Sequence, residues 1–170
     1  VVEHLGAIRL RSDVVRKRLF GLQAQEKSAS GVESGIYTAD ATALTYGHLA
    51  ELAETAIGAG YPATVDATFL RRGQRETFRE LALRLGVPFV ILDCRAKEET
   101  LRQRIRQRAL AGNDASEADL AVLDKQLAGA EPIGDDERPW VIEVDTESPS
   151  AAENMLNALK NRGVAEASVS

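Results

Sequence analysis

Asp66 closes a short run of small and β-branched residues, Ala63-Thr64-Val65, and Thr68, Arg71, Arg72 and Arg75 follow it. An acid at the carboxyl end of a buried strand has the form of a Walker B carboxylate, which holds magnesium or its water shell beside nucleotide phosphates. Guanidinium groups close to it would neutralise a phosphoryl group in transfer, chemistry in which electrostatic stabilisation dominates. Many strands end in aspartate merely because it caps the next helix. Three arginines at a helix start are harder to dismiss, since cations there oppose the helix dipole. The combination points to phosphoryl transfer. Asp66 is then the catalytic, magnesium-holding acid, Thr68 a nucleotide contact, and Arg72 and Arg75 substrate contacts.

A second basic cluster, Arg104-Ile105-Arg106-Gln107-Arg108, lies in the helical stretch KEETLRQRIRQRAL. Residues three or four apart share a helix face, so Arg104 and Arg108 flank Leu101 and Ile105. Arg102 and Arg106 project elsewhere, with Glu98 spaced to pair with Arg102. Arg104 and Arg108 are therefore the pair placed to fold over a triphosphate, and the other two read as a solvated face.

These groups need a frame. The chain has 170 residues, one domain by size, with 44% hydrophobic and 28% charged residues. A formal charge of -5 argues against a general nucleic-acid binder. One cysteine, Cys94, excludes an internal disulfide framework and fits a reducing, cytoplasmic setting. His4 and His48 are too far apart in sequence to suggest zinc. No apolar run approaches the ~20 residues that span a bilayer. Strand and helix alternate: Ala7 to Arg11, then VVRKRLFGL; a helix from Asp40 to Ile57 with Leu44, Gly47, Ala50 or Leu49, Ala53 and Ile57 on one face; Pro62 to Val65, then Gly73 to Leu85; PFVILDC, then the arginine-bearing helix; and WVIEVD before a last helix ending near Arg162. Between the last two strands Ser116 with Asp119 marks the start of a helix running to Leu127, and an acidic loop, IGDDERP, follows it. The alternation implies an α/β fold, a parallel sheet with helices on both faces and ligands at the carboxyl ends of the strands. The domain spans 1–163, with 164–170 a flexible tail.

A phosphate cradle, G-x-x-x-x-G-K-[ST], is the part such a site requires. None of Lys17, Lys27, Lys97, Lys125 and Lys160 follows a glycine, so the sequence holds no such motif. VVEHLG reads as the last turn of a helix stopped by Gly6, and a lost strand–loop–helix unit of roughly 30 residues is the expectation.

The runs GAIRLRSDVVRKRLFG, IYTADATALTYGHLAELAETAIGAGYPATVDATFLRRGQRETF, KQLAGAEPIGDDE and VIEVDTESP together resemble the P-loop kinase-like ATP-binding domain of bacterial bifunctional aminoglycoside phosphotransferase/ATP-binding proteins. Gluconate kinase and zeta-toxin kinases are relatives of that family. The resemblance implies a five-stranded parallel sheet of order 2-3-1-4-5, with the first strand absent here. It implies ATP and Mg2+ as cofactors and Asp66 as the Walker-B-like or catalytic acid. Asp13 and Arg16 would meet the phosphate acceptor, Arg104 and Arg108 would be lid arginines, and the loop of Thr146, Glu147 and Pro149 would lie on the adenine side. The functional expectation is an ATP- and magnesium-dependent small-molecule kinase, and the alternative is a non-catalytic ATP-binding domain regulating a phosphotransferase domain. Expected partners are a small-molecule phosphate acceptor, an upstream phosphotransferase-like domain and a second copy in a homodimer, with neither nucleic acid nor membrane. Without the cradle, the 170-residue chain alone is expected to bind ATP negligibly.

Overall fold

The computed structural model describes residues 2–26, 28, 35–111 and 119–164. The flexible tail, apart from Val164, the Ser116 helix start and most of the polar loop after Leu22 lie outside the described residues. Four strands alternate with seven helices among these residues. A short helix, α1 (Val2–Leu5), ends at Gly6, whose φ of 58° is left-handed and suits a residue without Cβ. Strand β1 (Ile8–Arg11) runs straight into α2 (Ser12–Leu19). A 3-10 turn (Gly35–Tyr37) precedes α3 (Ala39–Gly58), capped by Thr38, whose hydroxyl accepts from the Ala41 N–H at 3.2 Å. Then come β2 (Ala63–Asp66), α4 (Arg72–Leu85), β3 (Ile91–Arg95), α5 (Glu98–Ala111) and α6 (Leu120–Gly129). Asp119 caps α6 by accepting from the Val122 N–H at 2.9 Å. A 3-10 turn (Arg138–Trp140), β4 (Val141–Asp145) and α7 (Ala151–Asn161) complete the described chain.

The α/β class expected from the alternation is the class observed, and the strands divide into two parallel pairs. β1 pairs with β2 from Ile8↔Ala63 to Arg11↔Asp66, and β3 with β4 from Ile91↔Val141 to Arg95↔Asp145. Among the described residues no ladder joins β2 to β3. These pairs are what the order 2-3-1-4-5 leaves when its central first strand is not among the four.

Each half-sheet carries its own core. Val15, Tyr46, Leu49, Ala53, Phe78 and Leu81 from α2, α3 and α4 pack on Leu10 and Val65 of the first pair. Leu5, Ala7, Ile142, Val144 and Leu159 form the second core with Val90 and Leu92, so α1 and α7 cover that pair. No helix among the described residues is long and apolar enough to cross a membrane.

Two local expectations change. β3 starts at Ile91, later than PFVILDC suggested, because its ladder is set by β4, and Phe89 packs instead into the first core. The buried stripe of α3 runs through Ala41, Thr45, Leu49 and Ala53, leaving Leu44 64% exposed. The i, i+4 spacing holds, but the stripe is one residue round from the predicted one. Burial decides the cost of truncation here: Leu49→Ala is expected to destabilise by about 2–5 kcal/mol, and Leu44→Ala by less than about 0.5 kcal/mol, in urea unfolding followed by circular dichroism.

Candidate active site at the strand ends

Parallel pairing puts the carboxyl ends of β1 and β2 side by side, with Arg11 opposite Asp66. Asp66 is half-exposed and engaged: Arg9 Nε donates to its Oδ2 at 3.1 Å, and Arg9 Nη2 closes an ion pair on the same oxygen. Anything that recruits this carboxylate must draw it from Arg9, an exposed pair of small net stability. Asp13 accepts from Arg11 Nε at 3.1 Å and Nη2 at 2.5 Å, and from the Val14 N–H at 2.8 Å. Arg16, three residues further along α2, is buried. It donates to Ile36 O at 2.8 Å and Thr42 Oγ1 at 3.3 Å, and its guanidinium lies 5.3 Å from the Tyr37 ring centre. Burial lowers its pKa. Asp13 and Arg16 thus belong to one helix but face different surroundings.

The arginines after Asp66 divide by environment. Arg71 pairs with Glu131 at 3.1 Å and Arg72 with Asp136 at 2.5 Å, both near the surface. The Glu131 carboxylate also accepts the Arg72 N–H at 2.6 Å, and that bond, followed by the Arg71 guanidinium, lowers its pKa. Glu131 is therefore an acid at the start of α4, offsetting the dipole conflict that the arginines raised. Gly134 allows this loop to close, since a Cβ there would lie 2.6 Å from Asp136 Oδ1 and 3.2 Å from Arg72 Nη1.

Arg75 is only 4% exposed, and so is Glu137. Arg75 Nε donates to Glu137 Oε1 at 2.6 Å and Nη2 to Oε2 at 2.9 Å. Its other N–H groups donate to Phe69 O at 3.0 Å, Glu131 O at 3.3 Å and Pro132 O at 3.2 Å. Arg75 thereby ties the segment after β2 to the segment before β4. The hydrogen bonds from Arg75, despite burial, hold the Glu137 carboxyl down from 4.5 to about 2, with help from the Gly134 N–H.

At the other half-sheet, Arg104 donates to Thr146 Oγ1 at 2.8 Å and to Thr146 O at 2.9 Å, and Thr146 Oγ1 donates to Arg95 O at 2.9 Å. Glu147 accepts from Thr100 Oγ1 at 2.6 Å and the Lys97 N–H at 3.1 Å, which lower its pKa and cap α5. Pro149 sits exposed in the same turn. Arg108 lines, with Arg104, Ile105 and Leu123, a cleft of about 650 Å³ between α5 and α6. Arg102 pairs with Glu98 at 2.7 Å, as the spacing predicted, and also with Asp124.

The two ends meet. Burial raises the Cys94 thiol's pKa, and the charges of Asp93 and then Asp66 raise it further, so the end of β2 acts electrostatically on β3. From Cys94 the route runs through Arg95 O to Thr146 and Arg104. Beside it lies a cavity of about 660 Å³ lined by Thr68, Phe69, Arg75, Asp93, Arg95 and Glu143, within the size range of small-ligand sites. Arg95 bridges Asp93 at 2.7 Å and Glu143 at 2.8 Å. The structure thus joins Arg104 to Thr146 and sets Thr68 with Arg75 on one cavity. Arg72 is held at the rim by Asp136.

Sequence reasoning missed Arg9, Tyr46 and the function of the acidic loop. An acidic run, Asp135-Asp136-Glu137, in a chain with an arginine cluster was the available signal for the last. Among the described residues no group of three or more His, Cys, Asp or Glu is placed to hold a metal ion. Magnesium commonly takes one or two carboxylates plus substrate phosphates, so Asp66 fits as a single protein ligand.

A family model described as an AAA domain matches residues 1–133. A solved structure described as "a putative kinase from chloroflexus aurantiacus j-10-fl" superposes with a TM-score of 0.64 at 16% identity, covering 95% of this chain and 86% of that one. At that identity the likeness shows the fold alone, an α/β arrangement of parallel strands and helices. No curated protein matches significantly.

Because Glu137 titrates lower in the folded chain, its stabilisation is complete above about pH 4.5 and is lost as pH falls through about 2. Glu137→Gln is expected to cost on the order of 3 kcal/mol at pH 7 and to flatten the stability profile across that window, read by urea titrations at stepped pH.

Proposed function

The chain belongs to the AAA domain family, and from that premise we propose that it is the ATP- and magnesium-dependent phosphotransferase domain of a small-molecule kinase. The P-loop NTPase, kinase-like fold is the coarser ground for this reading. The observation that carries it is that Asp66 closes β2, and Thr146, which holds Arg104, directly follows β4, each at the carboxyl end of its parallel strand pair.

Asp66 is the carboxylate that would hold magnesium against the nucleotide phosphates once released from Arg9. The metal would supply neutralisation of the charge shared by the phosphates. Thr68, two residues on, reaches the phosphate side from the same loop. Arg104 is held over the strand ends by Thr146, with donors that would meet negative charge developing on the transferred group. Arg108 follows one turn later on the same helix. Thr146, Glu147 and Pro149 form the turn assigned to the adenine side, where Glu147 acts by capping α5. The acceptor would enter by Asp13 and Arg16, with Arg72 and Arg75 bounding the site through the acidic loop. Attack by an acceptor hydroxyl oxygen on the γ-phosphorus breaks its bond to the bridging oxygen and leaves ADP. The phosphates need a cradle that these 170 residues do not encode. The reading therefore includes a further strand–loop–helix unit, its strand between β2 and β3.

A second reading has its own support. With Asp66 engaged by Arg9 and Arg72 and Arg75 by acids, the domain would bind ATP without turnover and regulate a phosphotransferase domain.

Transfer from ATP to a panel of acceptors, by a protein that carries this chain together with that strand–loop–helix unit, separates the two. Under the kinase reading, Asp66→Asn lowers turnover by at least about 100-fold with the unfolding midpoint little changed. Unchanged turnover removes Asp66 from the chemistry. Arg104→Ala is expected to cost roughly 2.7–4 kcal/mol of transition-state stabilisation, and Arg102→Ala far less. Equal losses at both positions would assign the effect to the charge of α5 as a whole.

A further inference from the structure

Phe69 is the one residue other than glycine with positive φ among the described residues, at 46°. A side chain with a Cβ is strained in that region, and such strain persists only where the surroundings over-determine it. Phe69 lies three residues after Asp66 and directly after Thr68, so its backbone sets the direction of the loop that both serve.

Its surroundings grip it on four sides. The Phe69 N–H donates to the Tyr46 hydroxyl at 3.0 Å, and Phe69 O accepts from Arg75 Nη1 at 3.0 Å. The Phe69 ring meets Tyr46 edge-on at 5.4 Å between centres and Phe78 edge-on at 5.3 Å. Tyr46 is buried in the middle of α3. Its hydroxyl also lies 3.5 Å from Thr68 Oγ1. The contact permits either direction; while it accepts the Phe69 N–H, the Tyr46 hydroxyl can donate its own proton to Thr68 Oγ1, and in that arrangement Thr68 keeps its proton to direct elsewhere. Thr68 is exposed and lines the 660 Å³ cavity.

We infer that Tyr46 is a positioning residue: its hydroxyl, with Arg75, locks Phe69 in the left-handed conformation and leaves the Thr68 hydroxyl as a donor to an anionic oxygen beside Asp66. The lock is independent of function, whereas the donor's use on a phosphoryl oxygen rests on the kinase reading. Tyr46 itself touches no reacting atom. Tyr46→Phe keeps the ring contacts and deletes only the hydroxyl.

Two measurements test this. The first is amide hydrogen exchange, resolved by residue, on the full chain. Tyr46→Phe is expected to speed exchange at Phe69 by roughly tenfold while the helices keep wild-type protection. Tyr61→Phe, an exposed tyrosine on the far end of β2, should change nothing at Phe69. Unchanged exchange at Phe69 in Tyr46→Phe overturns the lock. Faster exchange throughout the chain also overturns it, because Tyr46 would then be a core residue only. The second is phosphoryl transfer: Tyr46→Phe should lower kcat several-fold with KM for ATP unchanged, Thr68→Ser should retain activity and Thr68→Val should lose it. An equal rise in KM with kcat unchanged overturns the positioning role. The transfer assays use the chain extended by the strand–loop–helix unit that the kinase reading includes; if that protein transfers phosphate to no acceptor, the kinase reading fails, and the exchange at Phe69 alone decides the lock.

Discussion

A buried guanidinium with five N–H groups must find acceptors for all of them, because charge removed from water is stabilised only by pairing and hydrogen bonds. Arg75 finds five: both oxygens of Glu137 and the carbonyls of Phe69, Glu131 and Pro132. Those acceptors come from two stretches of chain about sixty residues apart, one following β2 and the other preceding β4. With no ladder between β2 and β3 among the described residues, this network is a principal polar tie between the two half-sheets. The direction of the Asp66–Phe69 loop and the closure of the acidic segment over α4 both follow from it. Phe89, reaching into the first core from the segment before β3, adds an apolar tie between the halves.

The shape of the candidate site follows from that tie. Parallel pairing aligns the strand ends within each half, and Arg75 aligns one half with the other, so Asp66 can act on Cys94 across the division. On the β3–β4 side, positioning depends on shorter links. Thr146 accepts Arg104 and donates to Arg95 O, while Glu147 fixes the start of α5. Under the proposed kinase reading, an arginine held in this way would be pre-oriented toward phosphate, with little reorganisation left for transfer.

Much of this was legible in the chain. Helix and strand periodicities gave the element order, while the roles proposed for Asp66 and the Arg104 face rest on residue type and spacing. The role of Arg75 was not legible. Its type suited a phosphate contact as well as a structural tie, and only the fold shows that Glu137, sixty-two residues away, takes its charge. Arg9 escaped for the same reason, since its tie to Asp66 exists only once β1 lies beside β2. Positive φ at Phe69 has no sequence signal, because residue type argues against it and tertiary contacts impose it. The Leu44 expectation failed by one residue around α3, where a stripe of small residues, Ala41, Thr45 and Ala53, allows closer packing than a leucine would.

The central claim is that the Arg75–Glu137 pair couples the two halves, and a double-mutant cycle tests it most directly. Arg75→Met, Glu137→Leu and the double variant, compared by urea unfolding at pH 7, isolate the pair from each residue's other contacts. Each single change leaves a buried charge without its partner and is expected to cost roughly 3–5 kcal/mol. The double variant should be well above the sum of the two in stability, with a coupling energy beyond about 1.5 kcal/mol. Losses that add to within about 0.5 kcal/mol would contradict the account, since the two residues would then stabilise the fold independently.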